Sequence, residues 1–448
     1  MMIFERKVFS QLKQWKENSK GRSAILLDGA RRVGKTTIAK EFAKSNYRSY
    51  ILIDFVTAPD SLKNIFVKNR NDLDMFFNLL QLHTGTTLYE RDSLLIFDEV
   101  QQFPLAREMI KELVSDGRYD YLETGSLISL KSNVRNIRIP SEEHTICVHP
   151  MDFEEWLLAI GQEVTANILR KHCETLEPLG EDTHEVIMRK YREYMVIGGM
   201  PQVVSAYADT KSIMEVESVK QDILTLYRND MMKIPDTPTL TLSYLNSIPG
   251  ILSSHSRITM ASKVSPGTRK EKLIPPAEWL SQARIINRCR CCTDPSLVPA
   301  LSEDVGRYKS YLLDTGLLIS LSFELEPERL RDTYFRLIEG DLSINEGMFF
   351  ENMVAQELVA KGYPLWFVEM SRKDSARKYE VDFIVPMVDY IVPVEAKSGM
   401  SSKHRSLDVL MERYPDRVRK AYVIHTKDLR TKGDIVYLPI YMLQFLNI

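Results

Sequence analysis

The loop Gly29-Ala30-Arg31-Arg32-Val33-Gly34-Lys35-Thr36, followed by Thr37, limits the folds open to this chain more than any other stretch. It has the form G-x-x-x-x-G-K-T, which works only where a strand ends and a helix begins. Residues 24–27, Ala-Ile-Leu-Leu, read as a short buried strand before it, and Ile38, Ala39 and Phe42 recur at helical spacing after it. The glycines let backbone N–H groups curl around an anion, and the helix N-terminus adds favourable partial charge. Such a loop needs an α/β sheet with its ligand at the carboxyl ends of the strands.

The chemistry expected of the loop is that of nucleotide phosphates. Lys35 would reach the β- and γ-phosphates, and the Thr36 hydroxyl would ligate Mg2+, so ATP and Mg2+ are the expected ligands. The second half of such a site is an acidic strand end, and "SLLIFDEVQQFP" has one. Residues 94–97 read as a buried strand with Asp98 at its end; Asp98 would hold Mg2+, and Glu99 would polarise the attacking water. A helix is expected over about 105–115, opened by Pro104 and closed near Gly117. "YDYLETGSLISL" reads as a further strand, with Thr124 and Ser126 either sensing the γ-phosphate or making an ordinary strand-end turn. "YILIDFVTAP" is another strand, and Leu73, Phe76, Phe77 and Leu80 give one apolar helix face.

From about residue 153 to 230 the pattern is helical, interrupted at "IGGMPQ", where Gly198 and Gly199 end one helix and Pro201 starts the next. A helical lid on a nucleotide domain has this pattern. Arg228 is either a basic contact to nucleotide or a solvated helix charge. Three short helices, "LTLSYLNSIPGIL", "TMASKVS" and "RKEKLIPPAEWLSQA", then precede apolar strands "RIINRCRC" and "SYLLDTGLL", the order of a winged helix. Lys263, Arg269, Lys270 and Lys272 would lie near its recognition helix, where they could meet phosphates, although winged helices also bind proteins. Cys289, Cys291 and Cys292 have no fourth ligand nearby and read as small buried hydrophobes rather than metal ligands.

The C-terminal third has a helix, "NEGMFFENMVAQEL", a strand near 365–368, and then "YEVDFIVPMVDYIVPVEAKSG". Val381, Phe383 and Val385 alternate as in a strand, and a turn at 387–389 leads to a second strand carrying Glu395 and Lys397. Asp382, Glu395 and Lys397 form D-x12-E-x-K, the pattern of a PD-(D/E)xK nuclease: Asp382 and Glu395 could hold Mg2+, Lys397 could orient water, and Glu351 on the helix could complete the acidic set. A surface salt-bridge pattern on an edge strand is the alternative.

With 448 residues the chain has room for several domains. Its formal net charge of −2 means that any nucleic-acid contact must come from a local basic patch. Five cysteines, an odd number, suit a reducing compartment, and no apolar run is long enough for a signal peptide or a membrane span, so a cytoplasmic protein is expected. The expected domains are a P-loop ATPase core over residues 1–152, a helical lid over 153–235, a winged-helix-like domain over 236–325 and a nuclease-like α/β domain over 326–448.

"GARRVGKTT", "LLIFDEVQ", "LETGS", "YMVIGGMPQVV", "YKSYLLDTGLL", "NEGMFFENMVAQEL", "YEVDFIV" and "VEAKSG" together make the chain resemble a group of bacterial and archaeal AAA-family ATPases. Their P-loop domain is joined to a C-terminal region known only as a domain of unknown function. The resemblance spans nearly the whole chain and implies ATP binding, a winged-helix-like middle and a nuclease-like C-terminal fold. Many such proteins have a Gly-Arg pair soon after the "TGS" strand; here no such pair occurs, so the arginine finger is unassigned, with Arg135 and Arg138 as candidates. The expectation is a Mg2+-dependent ATPase whose C-terminal domain recognises a partner, with DNA, RNA and a protein as the candidates. The alternatives are an ATP-regulated nuclease and an interaction protein that binds ATP without hydrolysing it.

Overall fold

In a computed structural model, residues 4–126, 141–323, 327–341, 346–372, 375–399 and 404–446 are described. They fall into two compact units. The first is the chain through His149 together with Gln282–Arg284; the second is Pro150–Ser281 together with the residues from Ile285 onward.

The first unit is built on five parallel strands: β1 (Ala24–Asp28), β2 (Ser49–Asp54), β3 (Ser93–Asp98), β4 (Asp120–Gly125) and β5 (Glu143–Cys147). Their spatial order is β2-β3-β4-β1-β5. Every residue of β1, β3 and β4 is buried, as expected of strands covered on both faces. Asp28 lies opposite both Gly125 and Cys147, and Asp54 opposite Asp98, so the strands' carboxyl ends share one rim. Phe55, Phe66, Phe76, Phe77 and Phe97 pack edge to face in the core on one side of this sheet. The helix expected over about 105–115 is two, Pro104–Glu108 and Ile110–Asp116, broken at Met109; it closes on Gly117 at φ 77°.

The second unit opens with helices Phe153–Ala159, Glu163–Thr175, Glu181–Ile197, Pro201–Thr210 and Ile213–Met231. Gly198 and Gly199 separate the third from the fourth because a Cβ on Gly199 would clash with the Met151 carbonyl, and the Gly199 N–H donates to Asp314 at 2.6 Å. The segment expected as a lid makes polar ties to later parts of this unit. The Lys220 ammonium donates to Gly316 O (3.3 Å) and the Tyr334 hydroxyl (2.9 Å), and His184 Nδ1 pairs with the Tyr441 hydroxyl at 2.8 Å. The apolar faces of these helices are consumed by residues far along the chain, which a local pattern does not reveal.

Eight strands form the second sheet: β6 (Ile286–Cys292), β7 (Glu303–Leu312), β8 (Trp366–Arg372), β9 (Ser375–Pro386), β10 (Ile391–Lys397), β11 (Ala421–His425), β12 (Arg430–Lys432) and β13 (Ile435–Pro439), in the order β12-β13-β11-β10-β9-β8-β6-β7. The helices expected of a winged helix occur as Pro238–Leu252, the single turn Ala261–Val264 and Ile274–Gln282. Their hairpin, β6 with β7, differs from the expectation: β6 pairs in parallel with β8, Arg290 opposite Trp366. Residues 286–312 therefore share a sheet with the C-terminal strands instead of standing out as a wing. "SYLLDTGLL" also divides, because Asp314 accepts the Leu317 N–H at 2.9 Å and caps a helix, Thr315–Ser322, where strand was expected. Helix Glu346–Ala360 packs against β7 and β10, and helix Arg405–Arg413 places Leu410 on a core with Val368 and Val381. Among the described residues no helix is long and apolar enough to cross a membrane.

Candidate functional site

The loop after β1 is held by its own chain. Gly29 lies where a Cβ would strike the Val148 carbonyl, so the backbone there takes only glycine without a shift. Ala30 and Val33 are buried, and Arg6 donates to Val33 O at 3.2 Å. Arg31 is half-buried and Arg32 exposed, the latter at φ 69°. Gly34, at φ 95°, caps helix Lys35–Asn46. Within that helix's first turn, Thr36 and Thr37 are half-buried. The Lys35 ammonium is buried and folds back on the loop, donating to Gly29 O and Ala30 O at 2.9 Å each and to Ser126 Oγ at 3.1 Å. Burial lowers its pKa to about 8, against the charges of Glu99, Asp28 and Asp98, which raise it.

Strand order brings the remaining residues to this loop. β4 lies between β1 and β3, so Thr124 and Ser126 stand beside both the loop and the acidic strand end. Asp98 Oδ1 accepts from Thr36 Oγ1 at 2.9 Å and also from Thr124 Oγ1. Burial raises the Asp98 pKa, while the two hydroxyls pull it back. Glu99, at φ 51°, accepts from Ser126 Oγ at 3.2 Å and from Gln101 Nε2 at 2.5 Å. Two sets of hydrogen bonds result, Lys35–Ser126–Glu99 and Thr36–Asp98–Thr124, which adjoin along the chain at Lys35-Thr36 and at Asp98-Glu99.

One tie here went unseen in the sequence. Asp28, next to Gly29, accepts from Arg284 Nε at 3.0 Å and from its Nη2 at 2.7 Å. Arg284 lies 256 residues away and sits at φ 60°, so no local signal marks it. His149 is half-buried beside it, and desolvation, with the charges of Arg284 and Arg6, lowers its pKa to about 4.

The donor set suits a hard divalent cation. A hydroxyl (Thr36) and a carboxylate (Asp98) already touch, and both offer oxygen. No group of three or more His, Cys, Asp or Glu side chains able to hold a metal occurs among the described residues. A Mg2+ ion here would therefore take its remaining ligands from phosphate and water, as is usual for that ion.

The C-terminal acidic residues also converge. Register slips between Trp366 opposite Ile384 and Val368 opposite Val381, so Asp382 lies in a β-bulge that the alternating pattern does not betray. Asp382 Oδ2 accepts the Ala396 N–H at 2.9 Å, and Lys397 Nζ donates to Glu395 Oε1 at 2.7 Å. Burial first, then the Asp382 charge, raises the Glu395 pKa to about 7. Glu351, 1% exposed, meets three partners absent from the motif: Lys309 Nζ at 3.0 Å, the Tyr311 hydroxyl and Arg257. Lys309 also lies 2.8 Å from Glu380 Oε1 and 3.8 Å from Asp382 Oδ1.

Of the other residues singled out, Lys263, Arg269, Lys270 and Lys272 are exposed and Arg228 is half-buried. Cys289, Cys291 and Cys292 are fully buried. Arg135 and Arg138 lie outside the described residues.

Three family models match the chain: an AAA domain over residues 21–157, a domain of unknown function (DUF8612) over 188–328 and a second one (DUF4143) over 346–443. No curated protein matches it. Among solved structures, the Walker-type ATPase PABY2304 of Pyrococcus abyssi is similar at 16% identity and a TM-score of 0.42, over 72% of this chain and 96% of that one. The Orc1 protein of Aeropyrum pernix, solved in complex with DNA, is similar at 11% identity and a TM-score of 0.28, over 73% of this chain and 95% of that one. The β2-β3-β4-β1-β5 sheet, the loop after β1 and the model matched over residues 21–157 agree: the N-terminal part of this chain has the fold of a P-loop AAA domain.

Proposed function

We propose that the chain is an ATP-binding, Mg2+-dependent ATPase of the AAA superfamily, acting in the cytoplasm, whose C-terminal region recognises a partner. The observation that carries this reading is the pair of adjoining hydrogen-bonded sets, Lys35–Ser126–Glu99 and Thr36–Asp98–Thr124, at the strands' carboxyl ends. On nucleotide binding, Lys35 exchanges the Gly29 and Ala30 carbonyls for phosphate oxygens, and the loop's N–H groups close around the phosphates. Mg2+, when bound, would neutralise charge on the β- and γ-phosphates. Thr36 and Asp98 would hold it, with Thr124 orienting the Asp98 carboxylate. Glu99 accepts the proton of the attacking water. Ser126 accepts from Lys35 and donates to Glu99, so movement of Lys35 onto phosphate is felt at Glu99.

Equilibrium binding of a fluorescent ATP analogue tests the assignment. Saturable binding by wild type and none by Lys35→Ala is expected; unchanged affinity in the variant refutes it. For the partner, Lys263, Arg269, Lys270 and Lys272 offer exposed positive charge of the kind that meets phosphates. If the partner is DNA or RNA, binding falls steeply with salt and weakens in Lys270→Ala; a protein partner gives a shallow salt slope.

A further inference from the structure

The motif Glu351, Asp382, Glu395 and Lys397 implies a divalent metal, and the residues around it do not fit one. A metal site of this kind needs carboxylates with unmet negative charge facing water. Here Lys309 projects from β7 into the cluster with no exposed surface. Its ammonium lies within 3.0 Å of Glu351 and 2.8 Å of Glu380, and 3.8 Å from Asp382. Arg257 pairs with the other Glu351 oxygen, and Lys397 holds Glu395 at 2.7 Å. Arg257 does so from a backbone at φ 46°, a conformation that costs a non-glycine residue energy and persists only where its surroundings hold it.

Four carboxylates, Glu351, Glu380, Asp382 and Glu395, thus face three fixed cations, Lys309, Arg257 and Lys397. At most one negative charge is left over. A dication entering this cluster would meet an ammonium at close range in a low-dielectric setting, where like charges repel strongly. Lys309 comes from the β6–β7 hairpin, whose pairing with β8 brings it here. In the sequence it sits more than seventy residues before Asp382, outside the motif.

We propose that Lys309 is the resident cation of this cluster, so that the C-terminal unit takes up no divalent metal there and does not cut nucleic acid. The cluster is a charge-balanced tie between β7, helix Glu346–Ala360, β9 and β10. This inference is independent of the nucleotide site.

The test is Mn2+ titration of the nucleotide-free full chain, read by the loss of the free-ion paramagnetic resonance signal, for wild type and Glu395→Gln. The expected result is the same Mn2+ uptake in both, with no cleavage of labelled DNA or RNA. A wild-type site at millimolar Mn2+ or below that disappears in Glu395→Gln overturns the proposal, as does cleavage lost in that variant. A second arm uses Lys309→Met, its folding checked by circular dichroism. With the resident cation gone, Lys309→Met should gain one Mn2+ site that wild type lacks, and the gain should vanish in Lys309→Met/Glu395→Gln. A folded Lys309→Met protein that gains no Mn2+ site overturns the counter-ion role. If Lys309→Met does not fold, the wild-type comparison alone decides.

Discussion

Lys35→Met separates a binding group from a structural one. In the folded chain the Lys35 ammonium is buried against two carbonyls and a hydroxyl, and its pKa falls from an ordinary 10.5 to about 8. The hydrogen bonds and nearby carboxylates therefore do not make up for the lost water. The drop corresponds to ~3 kcal/mol held against the charged amine at pH 7. Between about pH 8 and 10.5 the unfolded chain binds more protons than the folded one, so stability rises with pH across that window and is flat below it. Methionine has a similar reach and no charge to desolvate. Nucleotide-free Lys35→Met should thus be as stable as wild type at pH 7 or more stable, by up to ~3 kcal/mol, or roughly 100-fold in amide protection. The assay is hydrogen exchange of helix Lys35–Asn46 by mass spectrometry at pH 7, with and without ATP and Mg2+. ATP should protect this helix in wild type and not in the variant. A nucleotide-free variant whose helix loses protection tenfold or more would refute the reasoning, because Lys35 would then be a structural tie.

Three further outcomes follow from the geometry. Thr124→Val removes a donor to the buried Asp98 carboxylate, so half-maximal ATPase activity should need on the order of tenfold more Mg2+; an unchanged Mg2+ dependence would count against Asp98 as the metal-side carboxylate. Glu395 has a folded-state pKa near 7, above its ordinary 4.5, so its contribution to stability is whole below about pH 4.5 and is lost as pH rises through about 7, by up to ~3 kcal/mol. Urea midpoints at pH 5 and pH 8 should accordingly differ less in Glu395→Gln than in wild type; equal differences would show that Glu395 titrates normally. Gly199→Ala forces a Cβ onto the Met151 carbonyl and should cost about 1–3 kcal/mol by urea unfolding, whereas a change under about 0.5 kcal/mol would mean that the Gly198–Gly199 turn yields freely.

The nucleotide site was legible where its logic is local. β1, the loop and helix Lys35–Asn46 are contiguous, and Asp98 and Glu99 announce themselves at the end of an apolar strand. Thr124 and Ser126 could be named but not located, because their proximity to Lys35 depends on β4 lying between β1 and β3. Arg284, Arg257 and Lys309 were out of reach for the same reason: each acts on a carboxylate supplied by a distant segment. The β6–β7 hairpin was visible as two strands, but its pairing with β8 is a choice of edge, which alternation does not encode. Asp314 shows the opposite case, since its capping of helix Thr315–Ser322 is a local signal that the apolar run "LLDTGLL" conceals.

The central claim rests most directly on Glu99. Phosphate release from ATP, with and without Mg2+, should be compared for wild type and Glu99→Gln alongside nucleotide affinity. The account predicts Mg2+-dependent release by wild type and a loss of about 10²–10⁴-fold in the variant, with affinity retained. Release at the wild-type rate in Glu99→Gln, or none from wild type despite tight ATP binding, would contradict it.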